Sequence, residues 1–205
     1  MRNSARSPLV SRPQAGRTVF VTGVGTATGS WAAAAALACA GSESDRAGLL
    51  IDLGAGRNPR PSLIATAAAR ELEERLATHL PKTGLASRGW FCHLVLPPDP
   101  NGVEQIAAAL PAVRDSTAVI HLPPRLVQPA LDEPRFRPSA AFLRADLPEN
   151  RALTALAARE LMERGIRVAV LKRPLGWLAG RAALLGALPT GSQALPPRLT
   201  ERLLR

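Results

Sequence analysis

The chain contains no tyrosine, and aromatic residues fill only 3% of its 205 positions. Single-stranded nucleic acids are gripped by aromatic stacking platforms, so this scarcity argues against a nucleic-acid partner despite a formal charge of +10. Lysine is almost missing too: Lys82 and Lys172 are the only two among 26 basic residues. The two cysteines, Cys39 and Cys92, sit in apolar stretches, which implies buried thiols and no disulfide framework. The three histidines, His79, His93 and His121, show no His-x-x-x-His spacing, and no Cys-x-x-Cys pair exists, so no metal site is expected. Cys92 and His93 are adjacent, which on a strand sends their side chains to opposite faces. No apolar run reaches the length of about 18 residues that a membrane-spanning helix needs. The basic start followed by an apolar stretch imitates a secretory leader, but Gly23, Gly25 and Gly29 interrupt that stretch. The expectation is a cytoplasmic chain, with any membrane contact confined to basic ends.

What is present is a globular composition. Hydrophobic residues make up 46% of the chain and mean hydropathy is +0.04, enough for one α/β domain with a substantial core. The charge is unevenly spread: residues 1–17 contribute +4 and 164–205 contribute +7, leaving −1 for the middle. This divides the chain into a flexible basic tail over 1–16, a domain over 17–188 and a basic C-terminal tail over 189–205.

Within the domain, apolar runs over 18–22, 48–53, 90–96, 117–122, 140–144 and 166–171 read as six strands, the first two continuous rather than alternating and therefore buried. Helices are expected between them: an Ala-rich one over 30–40, a second over 62–80 with Ile64, Ala68, Leu72, Leu76 and Leu80 on one face, and a third over 103–113. A fourth is expected over 148–164 with Leu153, Leu156, Ala157 and Leu161 inward, and a last over 175–185. Strands alternating with helices imply a single doubly wound, mainly parallel sheet of about six strands with helices on both faces.

The stretch from Arg17 to Ser30, RTVFVTGVGTATGS, is an apolar strand, a glycine-rich turn and a helix start. Such a turn aims backbone N–H groups at an anion on the helix N-terminus. Candidate ligand-binding residues are therefore Gly23, Val24, Gly25, Thr26, Ala27, Thr28, Gly29 and Ser30, with Asp52 at the end of the second strand. The same layout also occurs in α/β domains that hold no ligand.

Several of these segments together resemble the MinD/ParA group of P-loop ATPases, including the CpaE/TadZ proteins of pilus assembly. Val21 to Thr28 lies over their KGGVGKTT loop without a gap, and Leu49-Leu50-Ile51-Asp52-Leu53 resembles their second strand. Residues 118–131, AVIHLPPRLVQPAL, look like their Walker-B segment, a strand followed by a short turn into a helix. Residues 142–174 look like their next strand, helix and strand. The departures fall on the reactive positions. Val21 stands for the signature lysine, Thr26 for the phosphate-gripping lysine, Ala27 for the Mg²⁺-binding hydroxyl, His121 for the Walker-B Asp and Lys172 for the base-contacting Asn. Phosphoryl transfer depends on positioning and cationic neutralisation, so losing these groups together implies a degenerate, non-hydrolysing member.

By this resemblance the chain would be a non-catalytic adaptor or positioning factor in a pilus or secretion assembly. ATP or ADP would be held weakly or not at all, through backbone N–H groups. It would dock to a protein partner such as an assembly ATPase. A homodimer and peripheral membrane contact through the tails are further expectations. An alternative resemblance is to short-chain dehydrogenases: Thr22-Gly23-x-x-x-Ala27-x-Gly29 is similar to their TGxxxGxG loop. It implies an NAD(P)-binding protein with Asp52 on a ribose, but one lacking the catalytic Tyr. The histidines read as structural, with His121 of functional interest because strand ends face the ligand crevice. Ser30 reads as a helix-start residue, and no Ser–His–Asp set is legible along the chain.

Overall fold

The computed structural model describes residues 17–24, 30–42, 46–54, 64–80, 84–113, 115–145 and 150–171. Both tails, the segment expected as the last helix, and the residues from Gly25 to Gly29 lie outside the described residues. The elements in chain order are β1 (Thr18–Gly23), α1 (Ser30–Ala40), β2 (Gly48–Asp52), α2 (Ala67–Ala77), β3 (Leu85–Arg88), β4 (Phe91–Val95) and α3 (Pro100–Ala109). A 3₁₀ turn (Leu110–Val113), β5 (Ala118–His121), α4 (Pro124–Asp132), β6 (Ala140–Arg144), α5 (Arg151–Glu163) and β7 (Arg167–Leu171) follow.

They build one α/β sheet of seven strands in the order β3-β4-β2-β5-β1-β6-β7. All pairings are parallel except β3 with β4. The inner strands β1, β2 and β5 are buried on both faces, as continuous apolar runs require, whereas the edge strand β7 is buried only at Leu171. One face carries α1, whose alanines and Leu37 pack on Val19, Val21, Leu50, Val119 and Phe142. The other carries α2, α3, α4 and α5 over Phe20, Leu49, Ile51, Leu94, Ile120 and Leu143. Small side chains let α1 lie close to the sheet: a Cβ on Gly48 would come within 2.4 Å of the Ala38 carbonyl oxygen.

Local chemistry sets the boundaries. The Thr66 hydroxyl accepts the Ala69 N–H and starts α2, and the Asp99 carboxylate accepts the Gly102 N–H and starts α3, with Pro100 in its first turn. At the end of α5, Gly165 adopts φ 78°; its N–H reaches Met162 O at 2.9 Å and the Ile166 N–H reaches Leu161 O at 3.0 Å. That double bond is a Schellman ending, which favours glycine.

Three expectations change. A seventh strand, β3, is present because Gly89 (φ 59°) and Trp90 join Arg88 to Phe91 in a two-residue hairpin. Positive φ at the first turn residue alone makes it type II′, the form with glycine in that place. The second helix starts at Ala67 rather than 62, so Ile64 lies outside it and is 60% exposed. Helix α5 is rotated relative to the expected inward face: Thr154 and Leu161 are buried, whereas Leu153 and Leu156 are 54% and 56% exposed. Cys39 and Cys92 are both buried free thiols, and burial pushes both thiols up, Cys39 to about 12.

The rotation of α5 has a measurable consequence. Leu161→Ala should cost about 2–5 kcal/mol in urea unfolding, the range for truncating a buried leucine, while Leu156→Ala should stay within about 0.5 kcal/mol of the parent. Equal losses at the two positions would contradict the observed face.

Candidate functional site

The carboxyl ends of β2, β5 and β1 lie side by side, with Asp52 opposite His121 and His121 opposite Val21 in register. Alternation places Asp52, His121 and, on β4, His93 on the face covered by α1, opposite the faces of Ile51, Ile120 and Cys92. Ser30, the first residue of α1, arrives over the same point.

The four side chains meet. His121 Nδ1 is 2.8 Å from Asp52 Oδ1, and Ser30 Oγ is 2.9 Å from His121 Nε2. The Gly54 N–H donates to Asp52 Oδ1 at 2.8 Å, and His93 Nε2 lies 3.7 Å from Asp52 Oδ2. Asp52 is fully buried, and the His121 side chain is 10% exposed. Burial alone would raise the Asp52 carboxyl, but the hydrogen bonds from His121 and the Gly54 backbone, with the His93 ring close by, outweigh it and hold the group well below its ordinary 3.8. The carboxylate is therefore ionised and accepts only. Nδ1 of His121 must carry the proton it donates, and in the neutral ring Nε2 is left to accept from the Ser30 hydroxyl.

The His121 ring is held from above by Gly54, where a Cβ would sit 2.6 Å from Cε1 and 3.0 Å from Nδ1. His93 packs between aromatic rings, with centroids 6.1 Å from Trp31 and 6.4 Å from Phe91, and its ring nitrogens make no hydrogen bond among the described residues. This arrangement does not form a metal centre: among the described residues no group of three or more His, Cys, Asp or Glu side chains could hold an ion.

The residues expected to bind a ligand part company here. Ser30 and Asp52 converge, though on His121 rather than on a shared anion. Gly23 and Val24 end β1, and the buried Val24 is tied down on both sides: its N–H donates to Arg144 O at 2.9 Å and its carbonyl accepts from Asn150 Nδ2 at 3.3 Å. The Val24 N–H is thus not offered to a phosphate. Gly25, Thr26, Ala27, Thr28 and Gly29 lie outside the described residues. The Ser–His–Asp line was not legible along the chain because its members are 22 and 69 residues apart and meet only through the insertion of β5 between β1 and β2. The one available signal was that all three stand at strand ends or a helix start.

On the opposite face of the sheet, α4 and α5 border a groove of about 360 Å³ floored by Thr22, Gly23, Val24 and Leu143 and walled by Val127, Leu131, Leu153 and Leu156. Arg164 spans it, reaching Gln128 Oε1 at 2.9 Å and Asp132 Oδ1 at 3.5 Å. Among the described residues no helix is long and apolar enough to cross a membrane.

Two outcomes follow from the Asp52 geometry. Its folded pKa is depressed, so the carboxylate stabilises the fold above the ordinary range and that contribution is lost as pH falls below about 4. Urea midpoints should therefore drop between pH 6 and pH 3 in the parent, and drop less in Asp52→Asn, which should already be weaker by about 1–3 kcal/mol at pH 6. Gly54→Ala should cost about 1–3 kcal/mol by pushing against His121; an unchanged melting temperature would contradict the packing.

No protein-family model matches the chain, and no curated protein matches it in sequence.

Proposed function

We propose that this chain is a non-hydrolysing relative of the P-loop ATPases of the MinD/ParA group that acts by docking to a partner protein in a pilus or secretion assembly. The observation that carries this reading is the state of Asp52. A P-loop ATPase needs acids at these strand ends free to hold Mg²⁺ and orient water. Here Asp52 is bonded to His121, the residue that the resemblance sets in place of the Walker-B Asp. The strand carrying that Walker-B-like segment lies directly beside the strand leading into the glycine-rich turn, which supports the P-loop reading. It weighs against the NAD(P) alternative, because dinucleotide-binding sheets set their first two strands side by side, whereas β5 separates β1 from β2 here. The apolar groove between α4 and α5, with Leu153 and Leu156 more than half exposed, supports a docking role.

The test is phosphate release from ATP across a Mg²⁺ series, beside thermal shift with ATP, ADP and NAD(P)H. No turnover is expected at any Mg²⁺ concentration, and nucleotide shifts should be small. A ligand at a hundred times its Kd would stabilise by about 2.7 kcal/mol, a shift that is easily seen. Mg²⁺-dependent hydrolysis that disappears in Asp52→Ala would overturn the reading, and a large NADPH shift would favour the alternative.

A further inference from the structure

Ser30, His121 and Asp52 form a line of their own. Ser30 Oγ, His121 Nε2, His121 Nδ1 and Asp52 Oδ1 follow one another with separations of 2.9 Å and 2.8 Å across the two hydrogen bonds. Those atoms, in that order, are what a serine nucleophile needs: a base within reach of its hydroxyl, and a buried carboxylate that fixes the base's tautomer. The three come from separate rigid elements, the start of α1 and the ends of β5 and β2, and Gly54 fixes the ring from above.

The surroundings add a second element. The polypeptide after β1 enters α1 on one face of the sheet, and that after β5 enters α4 on the other. Adjacent strands whose connections diverge in this way mark the place where open α/β sheets bind ligands. Ser30 and His121 flank that place. The first-turn N–H groups of a helix have no intrahelical acceptors. In α1 the N–H that follows the serine belongs to Trp31, the position that supplies an oxyanion donor in strand–turn–helix acyl hydrolases.

We propose that Ser30 and His121 are a nucleophile and general base, with Asp52 as positioning residue, and that they hydrolyse carboxylic esters. Ser30 Oγ bonds to the acyl carbon while its proton passes to His121 Nε2 and the carbonyl electron pair moves onto oxygen. Collapse of that oxyanion breaks the bond to the alkoxy group, which leaves as the alcohol with the proton from Nε2. Water then attacks the acyl-serine, giving one proton to Nε2, and the acid departs as that proton returns to Ser30. The balance is ester plus water to acid plus alcohol. No nucleotide takes part, so the proposal stands or falls separately from the adaptor reading.

The test treats the full chain with a fluorophosphonate probe, maps the adduct by peptide mass spectrometry, and follows p-nitrophenyl acetate hydrolysis. A single adduct is expected on Ser30, with turnover falling to the uncatalysed rate in Ser30→Ala. His121→Gln should slow labelling by about 10²–10⁴-fold. Asp52→Asn should lower kcat by about 10³–10⁴-fold with KM unchanged, a split that a general loss of structure would not produce. Absence of an adduct on Ser30, labelling at the parent rate in His121→Gln, or turnover retained in Ser30→Ala would each overturn the proposal. If a buried variant fails to fold, the adduct on the parent and the Ser30→Ala turnover decide the matter.

Discussion

A carboxylate inside a sheet costs several kcal/mol to strip of water unless it is fully engaged. At Asp52 the engagement runs through Oδ1, which accepts from the His121 ring and the Gly54 N–H, with His93 Nε2 3.7 Å from Oδ2. Much else follows from this one buried charge. It keeps the proton on His121 Nδ1 and so turns Nε2 toward Ser30. It needs β5 next to β2, because only that register sets His121 opposite Asp52. It also needs glycine at position 54, since any larger residue would strike the ring.

The rest of the architecture serves the approach of Ser30. An Ala-rich α1 packs tightly on Val19, Val21, Leu50 and Val119, and Gly48 removes the side chain that would hold it off the sheet. A bulkier helix would lift its N-terminus, and the 2.9 Å contact from Ser30 to His121 would be lost. The composition that looked like an unremarkable apolar helix is therefore what sets the distance at the site. The α2–α5 face does different work: it supplies most of the larger hydrophobic side chains and leaves the groove between α4 and α5 open.

Periodicity carried the fold a long way. The continuous apolar runs at β1, β2 and β5 belong to strands buried on both faces, and the parallel sheet follows from the alternation of strands with helices. Failures came where local chemistry is terse. The strand β3, Leu-Ala-Ser-Arg, has no β-branched residue, and its only advertisement is Gly89 ahead of Phe91. In α5 leucines lie on two faces, so pattern alone could not choose between Leu153 with Leu156 and Leu161; packing against β6 and β7 did. The site was half legible. Asp52 and His121 stood out as strand ends, but their pairing depends on strand order, a long-range property that spacing does not encode.

A hydrogen-bonded line thus runs from the half-buried Ser30 through His121 to the buried Asp52. The most direct measurement is the long-range ¹⁵N–¹H NMR spectrum of the histidine side chains at neutral pH, with His121 assigned by substitution. The expected result is a His121 whose Nδ1 keeps its proton and exchanges it slowly, with an Nε2 resonance that moves in Ser30→Ala. An Nε2–H tautomer, or a freely averaging mixture of the two, would contradict it.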